Sequence, residues 1–419
     1  MKILLLFTAS FPYDGGAEQT FLNTEIQYLR RGFDRVILVP RKRAGSLLAV
    51  PAPAEVDESY SVSLEGVNPL YALANAVLSS LFYSDILSRP SLLLYPQAIK
   101  RLIAFVVGAQ LTRKWVEDWI CNNKVNPADC MFYTYWFDQA ELGIGLAKRK
   151  HPQIRSISRV HGYDLYEEYY YNPPYWPLRR LALSLLDRLF PDSEAGLRYL
   201  KNRYPEFSSR YETALLGVTD PGFVNHSSTD SVFRIVSCSM LEQVKRVDLI
   251  LEGIKTAALQ RPHQRFEWHH IGNGARRMEL QKLADETFPP NAKGCLPGYT
   301  SKEALMSFYR DTPADVFINA SETEGTPVAV MEAVSCGIPV IAASVGGNKE
   351  IVGERNGILL SENPSPQDIA DAILKMLDNQ HAALTMREES RKVWMERYNA
   401  DANYATFAET LRAIREKAN

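Results

Sequence analysis

Cysteine is scarce in this sequence, with five in 419 residues, at positions 121, 130, 238, 295 and 336. They are scattered and odd in number, and no CxxC pair or Cys/His cluster occurs. That pattern argues against a disulfide framework and against a cysteine-based metal centre. A reducing cytoplasm is the expected compartment. An excess of one charge is also lacking, since 47 Lys and Arg oppose 49 Asp and Glu for a net charge of −2. Such a chain has no global pull toward nucleic acid, and no nucleic-acid partner is expected. The longest apolar stretch, near residues 102–111, is half of what a membrane-spanning helix needs. Lys2 and the apolar run to Phe7 begin like a signal peptide. The run is short, however, and leads into SFPYDGGAEQT rather than a small-residue cleavage site, so a buried first strand is expected.

What the chain does have is size and core. Hydrophobic residues make up 46% and charged residues 23%, which suits a globular chain of two or three domains. The apolar run 2–7, a helix over about 17–31 and a strand at 36–39 open an alternating strand–helix pattern, which implies a parallel sheet. Residues 69–119 are helix-rich, aromatic and interrupted by Pro90 and Pro96. Strands follow at 131–135 and 154–160, and a helix is expected over 178–190. After the polar break HSSTDS at 226–231 the pattern restarts. Strands are expected at 233–238, 265–271, 315–319 and 339–343, with helices at 247–258, 301–310 and 399–417. Two doubly wound α/β domains are expected, over 1–215 and 216–398, facing a cleft at their C-terminal strand edges. The last helix, 399–419, is expected to cross back onto the first domain.

The most informative stretch is SETEGTPVAVMEAVSCGIPVIAASVGGNKEIV, residues 321–352. Thr326 can N-cap a helix, Pro327 suits its first turn and Gly337 its end. Glu324 then lies in the preceding loop and Glu332 in the second turn. At ~1.5 Å per residue, Pro327 and Glu332 stand roughly 7.5 Å apart along the axis, about the span of a diphosphate. A nucleotide-sugar laid along this helix end would put its sugar near Glu324. Its phosphates would lie at the amides of Gly325, Thr326, Pro327 and Val328 (where Pro has no N–H), and its ribose near Glu332. Glu332 sits among Val328, Ala329, Val330, Met331, Ala333 and Val334, where a bare carboxylate is costly. A core ion pair with Arg or Lys is the other reading.

Further constellations surround this one. Gly15 and Gly16 lie between the first strand and helix, where glycines let backbone approach a phosphate; an ordinary tight turn is the alternative. No GxGxxG stands there, and the nearest match, GNGARR at 272–277, lacks the third glycine, which weakens a dinucleotide dehydrogenase reading. His161, in VHGYDLY, ends a strand and suits a side chain reaching into a cleft. Lys245 and Arg246 open a helix, where cations oppose the dipole unless an anion is bound. His269 and His270 point to opposite faces of a strand and cannot easily share a metal. Tyr166, Tyr169, Tyr170, Tyr171, Tyr175, Trp176, Arg179 and Arg180 form an aromatic and basic cluster suited to sugar stacking, a membrane interface or plain packing.

Taken together, these residues resemble the retaining glycosyltransferases with the GT-B fold, the group with an E-x7-E motif that includes capsular and exopolysaccharide transferases. The resemblance covers nearly the whole chain. It rests on Glu324 to Glu332, GGNKE at 346–350, HGYDLY at 161–166, Gly15-Gly16 and CSMLEQVKRVDLI at 238–250. It implies that Glu324 holds the donor sugar's hydroxyls and that Gly325 to Val328 meet sugar or phosphate. Glu332 would bind ribose, Lys245 would neutralise the leaving diphosphate, and His161 would contact the transferred sugar. Gly16 would close on the phosphates, and Asn273 and Ser239 would line the donor site. Many relatives carry an Arg where this chain has Ser239, and Arg246, replacing a common Gly, is a candidate substitute for that charge. No DxD-like motif sits at a suitable strand end, so no metal or other cofactor is expected.

The expected activity is transfer of a sugar from a nucleotide-sugar donor to a glycan or lipid-linked acceptor. A nucleotide-sugar epimerase and a non-catalytic sugar-nucleotide-binding protein are the alternatives. Residues 98–115, AIKRLIAFVVGAQLTRKW, combine a long apolar face with basic ends. This is either a core helix or an interfacial one giving peripheral contact with the inner membrane face.

Overall fold

The computed structural model describes residues 1–14, 18–50 and 54–416, the side chains at 169 and 170 excepted. Gly15 and Gly16 lie outside the described residues. The chain divides into two compact units, Met1–Leu216 with Ala402–Asn419, and Gly217–Asp401.

Unit 1 is built on β1 (Ile3–Thr8), β2 (Arg35–Pro40), β3 (Ala54–Val56), β4 (Cys130–Thr134), β5 (Arg155–Val160) and β6 (Arg188–Pro191). They pair in the order β3-β2-β1-β4-β5-β6, all parallel. Leu5 of β1 stands beside Ile37 on one side and Phe132 on the other. Every residue of β1 is buried, as expected of a strand covered on both faces. The helices that matter below are α1 (Gln19–Gly32), α2 (Pro69–Leu78), α3 (Ser80–Ser88), α4 (Pro96–Asn123), α5 (Gln139–Ala147) and the short α6 (Gly162–Leu165).

Unit 2 repeats the plan with β7 (Val232–Cys238), β8 (Arg265–Ile271), β9 (Ala292–Gly298), β10 (Val316–Asn319), β11 (Val340–Ala343) and β12 (Gly357–Leu360). Their order is β12-β11-β10-β7-β8-β9, again parallel. Ile235, Trp268, Ile318 and Ile341 join α7 (Val247–Gln260) in one core. Helix α8 (Val328–Ser335) follows β10, and α9 (Pro366–Asp378) packs on α7. The last helix, α10 (Ala400–Glu416), brings Phe407 to 5.7 Å from the ring of Tyr133 and 5.1 Å from that of Phe190, both in unit 1. In each sheet the winding reverses once, between β1 and β4 and between β7 and β10. Open α/β sheets bind ligands outside the C-terminal strand ends at such a point.

One expectation needs correction, and one pair of alternatives is decided. The helix expected over 178–190 stops at Leu185, and Arg188–Pro191 is the edge strand β6. Asp187 causes the break: its N–H donates to Ser156 O at 2.8 Å and its carboxylate takes Lys148 Nζ at 2.6 Å. The following Leu189 and Phe190 are then buried beside β5. Second, residues 98–115 belong to α4, whose Ala98, Leu102, Phe105, Val106, Ala109 and Trp115 are buried in unit 1. Its apolar stripe is core, so this helix is not a free interfacial one.

Candidate active site

The switch point of unit 2 carries the two loops singled out in the sequence. The loop after β7 ends in a short turn at Gln243–Lys245, and the loop after β10 runs from Ala320 to Pro327. They meet where Lys245 Nζ donates to Glu324 Oε1 at 2.9 Å. Asn319 Nδ2 at 3.1 Å and Ser321 Oγ at 2.6 Å donate to the same oxygen. Among the described residues no donor reaches Oε2. One carboxylate oxygen is therefore fixed by three bonds, and the other is available to a ligand's hydroxyls.

Local sequence explains why the Glu324 loop takes this form. Gly346 has φ +44°, and a Cβ there would stand 1.7 Å from Glu324 O. A Cβ at Gly347 would stand 2.4 Å from Gly325 O, and the Gly347 N–H donates to that oxygen at 2.9 Å. Only glycine permits so close an approach. Next to them, buried Asn348 donates through Nδ2 to Asn319 Oδ1 at 3.2 Å and to Ala343 O at 3.0 Å. Asn348 thus orients Asn319, and Asn319 orients Glu324.

Helix α8 begins one residue later than expected. Pro327, not Thr326, is its N-cap: its backbone is extended, and its carbonyl takes the first helical bonds, from Val330 and Met331 at 3.1 Å each. The first N–H groups of the helix, beginning at Val328, have no intrahelical acceptor and point out of its N-terminus. Glu332, one turn in, is 6% exposed. The alternative reading was a core ion pair, but among the described residues no cation lies within ion-pair distance of its carboxylate and no donor bonds it. Burial pushes Glu332 up to about 7, eased only by the more distant charge of Lys302. A buried carboxylate with no partner among the described residues, beside a helix N-terminus, can accept hydrogen bonds from the hydroxyls of a ligand.

The neighbouring residues play less direct parts. Arg246 has φ +46°, and its guanidinium is committed to backbone oxygens: Ala320 O at 2.6 Å, Ser321 O at 2.9 Å and Glu362 O at 3.1 Å. It tethers the β10 loop rather than standing free for an anion, which leaves Lys245 as the presented cation. Ser239 O accepts from His270 Nε2 at 3.2 Å, and a Cβ at Gly272 would stand 1.8 Å from that oxygen. Exposed Asn273 accepts from Leu241 N at 2.9 Å. The Gly272–Gly274 turn therefore shapes the loop that delivers Lys245. No group of three metal-binding side chains occurs among the described residues. A cavity of about 470 Å3 in the same unit lies near Val232, Phe233 and Asp315, at the N-terminal strand edge, away from this chemistry.

In unit 1, His161 closes β5 and N-caps α6. Its Nδ1 is 3.0 Å from Asp192 Oδ2, while buried Nε2 has no protein partner among the described residues. Burial disfavours the charged ring, but the Asp192 hydrogen bond and charge outweigh it, so His161 is raised above the usual histidine value. Tyr135 and Trp136, just beyond β4, pack against it, tilted and edge-on, with ring centroids 4.6 and 5.0 Å away. Sequence reasoning missed Glu18. Its buried carboxylate accepts from the N–H groups of Ala9, Ser10 and Phe11 at 2.5, 2.9 and 3.1 Å, and from Trp136 Nε1 at 2.6 Å. It organises the loop after β1, and an acid two residues beyond the glycine pair was the available signal. The aromatic and basic cluster divides: Tyr171 and Trp176 line a cavity of about 400 Å3 with Arg41, Arg101, Trp136 and Tyr163. Tyr175 and Arg179 are instead buried.

Comparison with known proteins places this geometry. Residues 224–393 match the family model described as glycosyl transferases group 1. An uncharacterized glycosyltransferase of Methanocaldococcus jannaschii is 26% identical over 196 residues, covering 46% of this chain and 52% of that protein. The chain thus spans about half the length of that curated relative. Among solved structures, Anabaena Alr3699/HepE in complex with UDP superposes with a TM-score of 0.64 at 17% identity, covering 99% of this chain and 100% of the other. The apo form of the lipopolysaccharide outer core galactosyltransferase WaaB gives a TM-score of 0.68 at 14% identity, with coverage of 99% and 100%. Residues 224–393 are thus similar to the group 1 glycosyl transferases, and the chain has the GT-B fold, with two six-stranded parallel sheets.

Proposed function

We propose that this protein is a glycosyltransferase that moves a sugar from a nucleotide-sugar to a glycan or lipid-linked acceptor, with retention at the anomeric carbon and without a metal ion. The observation that carries the reading is the pair Glu324 and Glu332, one with a single oxygen held by three donors, the other buried without a partner. Glu324 Oε2 takes the donor sugar's hydroxyls. The N–H groups at the start of α8 take phosphate, and Glu332 takes the ribose diol. Lys245 Nζ, with donors to spare beyond Glu324, offsets the charge that grows on the departing diphosphate. In unit 1, His161 Nε2, buried without a protein partner among the described residues, is a separate candidate for a sugar or phosphate oxygen.

Two neighbours support this choice of ligand: HepE was crystallised with UDP, and WaaB is described as a galactosyltransferase of the lipopolysaccharide outer core. Surface polysaccharide or glycolipid synthesis at the cytoplasmic face is the corresponding role. An epimerase would need its own acid/base pair on the sugar, and an inert binder would not turn over. Incubating the protein with a panel of nucleotide-sugars tests the reading. Thermal stabilisation by one donor and slow release of its nucleoside diphosphate are expected. Stabilisation with no release, with or without acceptor glycans, would leave a binder. Conversion of the intact donor into its epimer would leave an epimerase.

A further inference from the structure

We infer that the outer surface of α2, α3 and the turn that follows them, residues 69–95 of unit 1, docks on a lipid bilayer. Residues 66–99 contain only two charged side chains, Asp85 and Arg89. One face of this segment belongs to the core, through Ala76, Phe82 and Leu92. The other face is equally apolar and uncovered. Leu70, Tyr71, Leu78, Leu87, Leu93 and Leu94 are 76, 71, 79, 78, 63 and 78% exposed. Leu70 and Leu78 recur at helical spacing along α2, as Tyr83 and Leu87 do on α3. A helix that is apolar all round, with only one side packed, lacks a partner. Single exposed leucines are ordinary, but so many in one segment mark an interaction surface.

Charge selects the partner. The one acid of the segment is engaged internally, since Asp85 accepts from the Tyr175 hydroxyl and from Leu178 N. Arg89 lies over the ring of Tyr175. Exposed Lys100 and then Arg101 follow directly, giving the patch a cationic margin and no free carboxylate of its own. Tyr71, Tyr83 and Tyr95 supply amphipathic rings of the kind that sit at the headgroup level. Apolar side chains with a basic margin suit an anionic bilayer surface. Leucine is under-represented among the side chains that dominate protein–protein interfaces, so a protein partner fits less well. No single helix among the described residues is long and apolar enough to cross a membrane. Helices α2 and α3 together have the length and composition of a span broken by a 55° bend, but Ala76, Phe82 and Asp85 tie them to the core of unit 1, which suits lying on the bilayer.

A cavity of unit 1 adjoins the patch. Arg101 donates to Tyr175 O at 2.8 Å and also lines the 400 Å3 cavity with Trp176. Docking itself does not rest on the transferase reading. The test is co-sedimentation of the full chain with vesicles of phosphatidylglycerol and phosphatidylcholine in equal parts, with phosphatidylcholine vesicles beside them. Binding to the anionic vesicles, weakened by salt, is expected. The combined variant Leu70→Ser, Leu78→Ser, Leu87→Ser, Leu94→Ser should bind about a hundredfold more weakly with an unchanged melting temperature. Leu259→Ser, an exposed leucine of unit 2, should bind as the parent does. Parent protein left in the supernatant of both vesicle types overturns the inference, as does equal binding by the fourfold variant. A dimer that binds no vesicles and is dissolved by the four substitutions makes the patch a protein interface and also overturns it. Donor hydrolysis without vesicles is read separately, so failure of docking and failure of the transferase reading are distinguishable.

Discussion

Lys245 Nζ lies 2.9 Å from Glu324 Oε1, joining the loop that leaves β7 to the loop that leaves β10. In this pairing the lysine both orients the carboxylate and keeps further N–H groups for an anion. Lys245→Ala removes both contributions. Turnover is expected to fall about 10²–10³-fold, the usual scale for losing one donor to developing charge. Lys245→Arg should recover part of it. Steady-state rates for the three proteins check this, and equal rates would detach Lys245 from the chemistry.

Glu332 gives a pH signature. Burial holds its carboxyl up to about 7, above the ordinary carboxylate range. Below that range both folded and unfolded chains are protonated; between it and about 7 only the folded chain keeps the proton. Stability therefore falls as pH rises through that window and levels off above it. Glu332→Gln abolishes the loss and should stabilise the free protein at pH 8 by on the order of 3 kcal/mol. The same change should weaken nucleoside diphosphate binding about tenfold, the equivalent of one charge-assisted hydrogen bond. Parent affinity should rise from pH 6 to 8 as the carboxylate forms, and the Gln variant should show no rise. Calorimetric titrations and melting curves across that range measure both.

Gly346 and Gly353 form a matched pair. A Cβ at Gly346 would stand 1.7 Å from Glu324 O, whereas a Cβ at Gly353 meets nothing within 4 Å. Gly346→Ala must displace the Glu324 loop, and a shift of that size costs about a hundredfold in rate. Gly353→Ala should leave rate and melting temperature unchanged.

Chelation is the fourth test. With Lys245 and the start of α8 supplying positive charge, transfer is expected to continue in excess EDTA. A complete loss restored by Mg²⁺ or Mn²⁺ would mean that a metal carries the diphosphate.

The central strands and the Glu324–Glu332 spacing were legible because each has a strong local pattern. Strand β1 is apolar throughout, and a carboxylate amid valines and alanines is conspicuous. Strand β9 was not legible: AKGCLPG contains Pro and two Gly, poor strand formers that only an edge position tolerates. The support of Glu324 was hidden for a different reason. Asn319 and Ser321 read as ordinary loop polars, and Asn348 reaches Asn319 from 29 residues away. Arg246 read as a free cation because its backbone acceptors are invisible in sequence. Residues 98–115 illustrate an ambiguity of pattern: a basic-ended apolar helix suits a membrane surface and a core equally, and only burial decides. The segment actually left uncovered, 69–95, read merely as helical and aromatic.

Glu324 itself offers the most direct test. Its Oε2 is assigned to the transferred sugar and not to the nucleotide, so Glu324→Ala and Glu324→Gln should separate turnover from nucleotide binding. The measurement is the rate of nucleoside diphosphate release from the preferred nucleotide-sugar, set beside the affinity for the free nucleoside diphosphate in the same variants. A rate lower by about a hundredfold or more with affinity within about threefold of the parent is the expected result. Parent-like release by Glu324→Ala would contradict it.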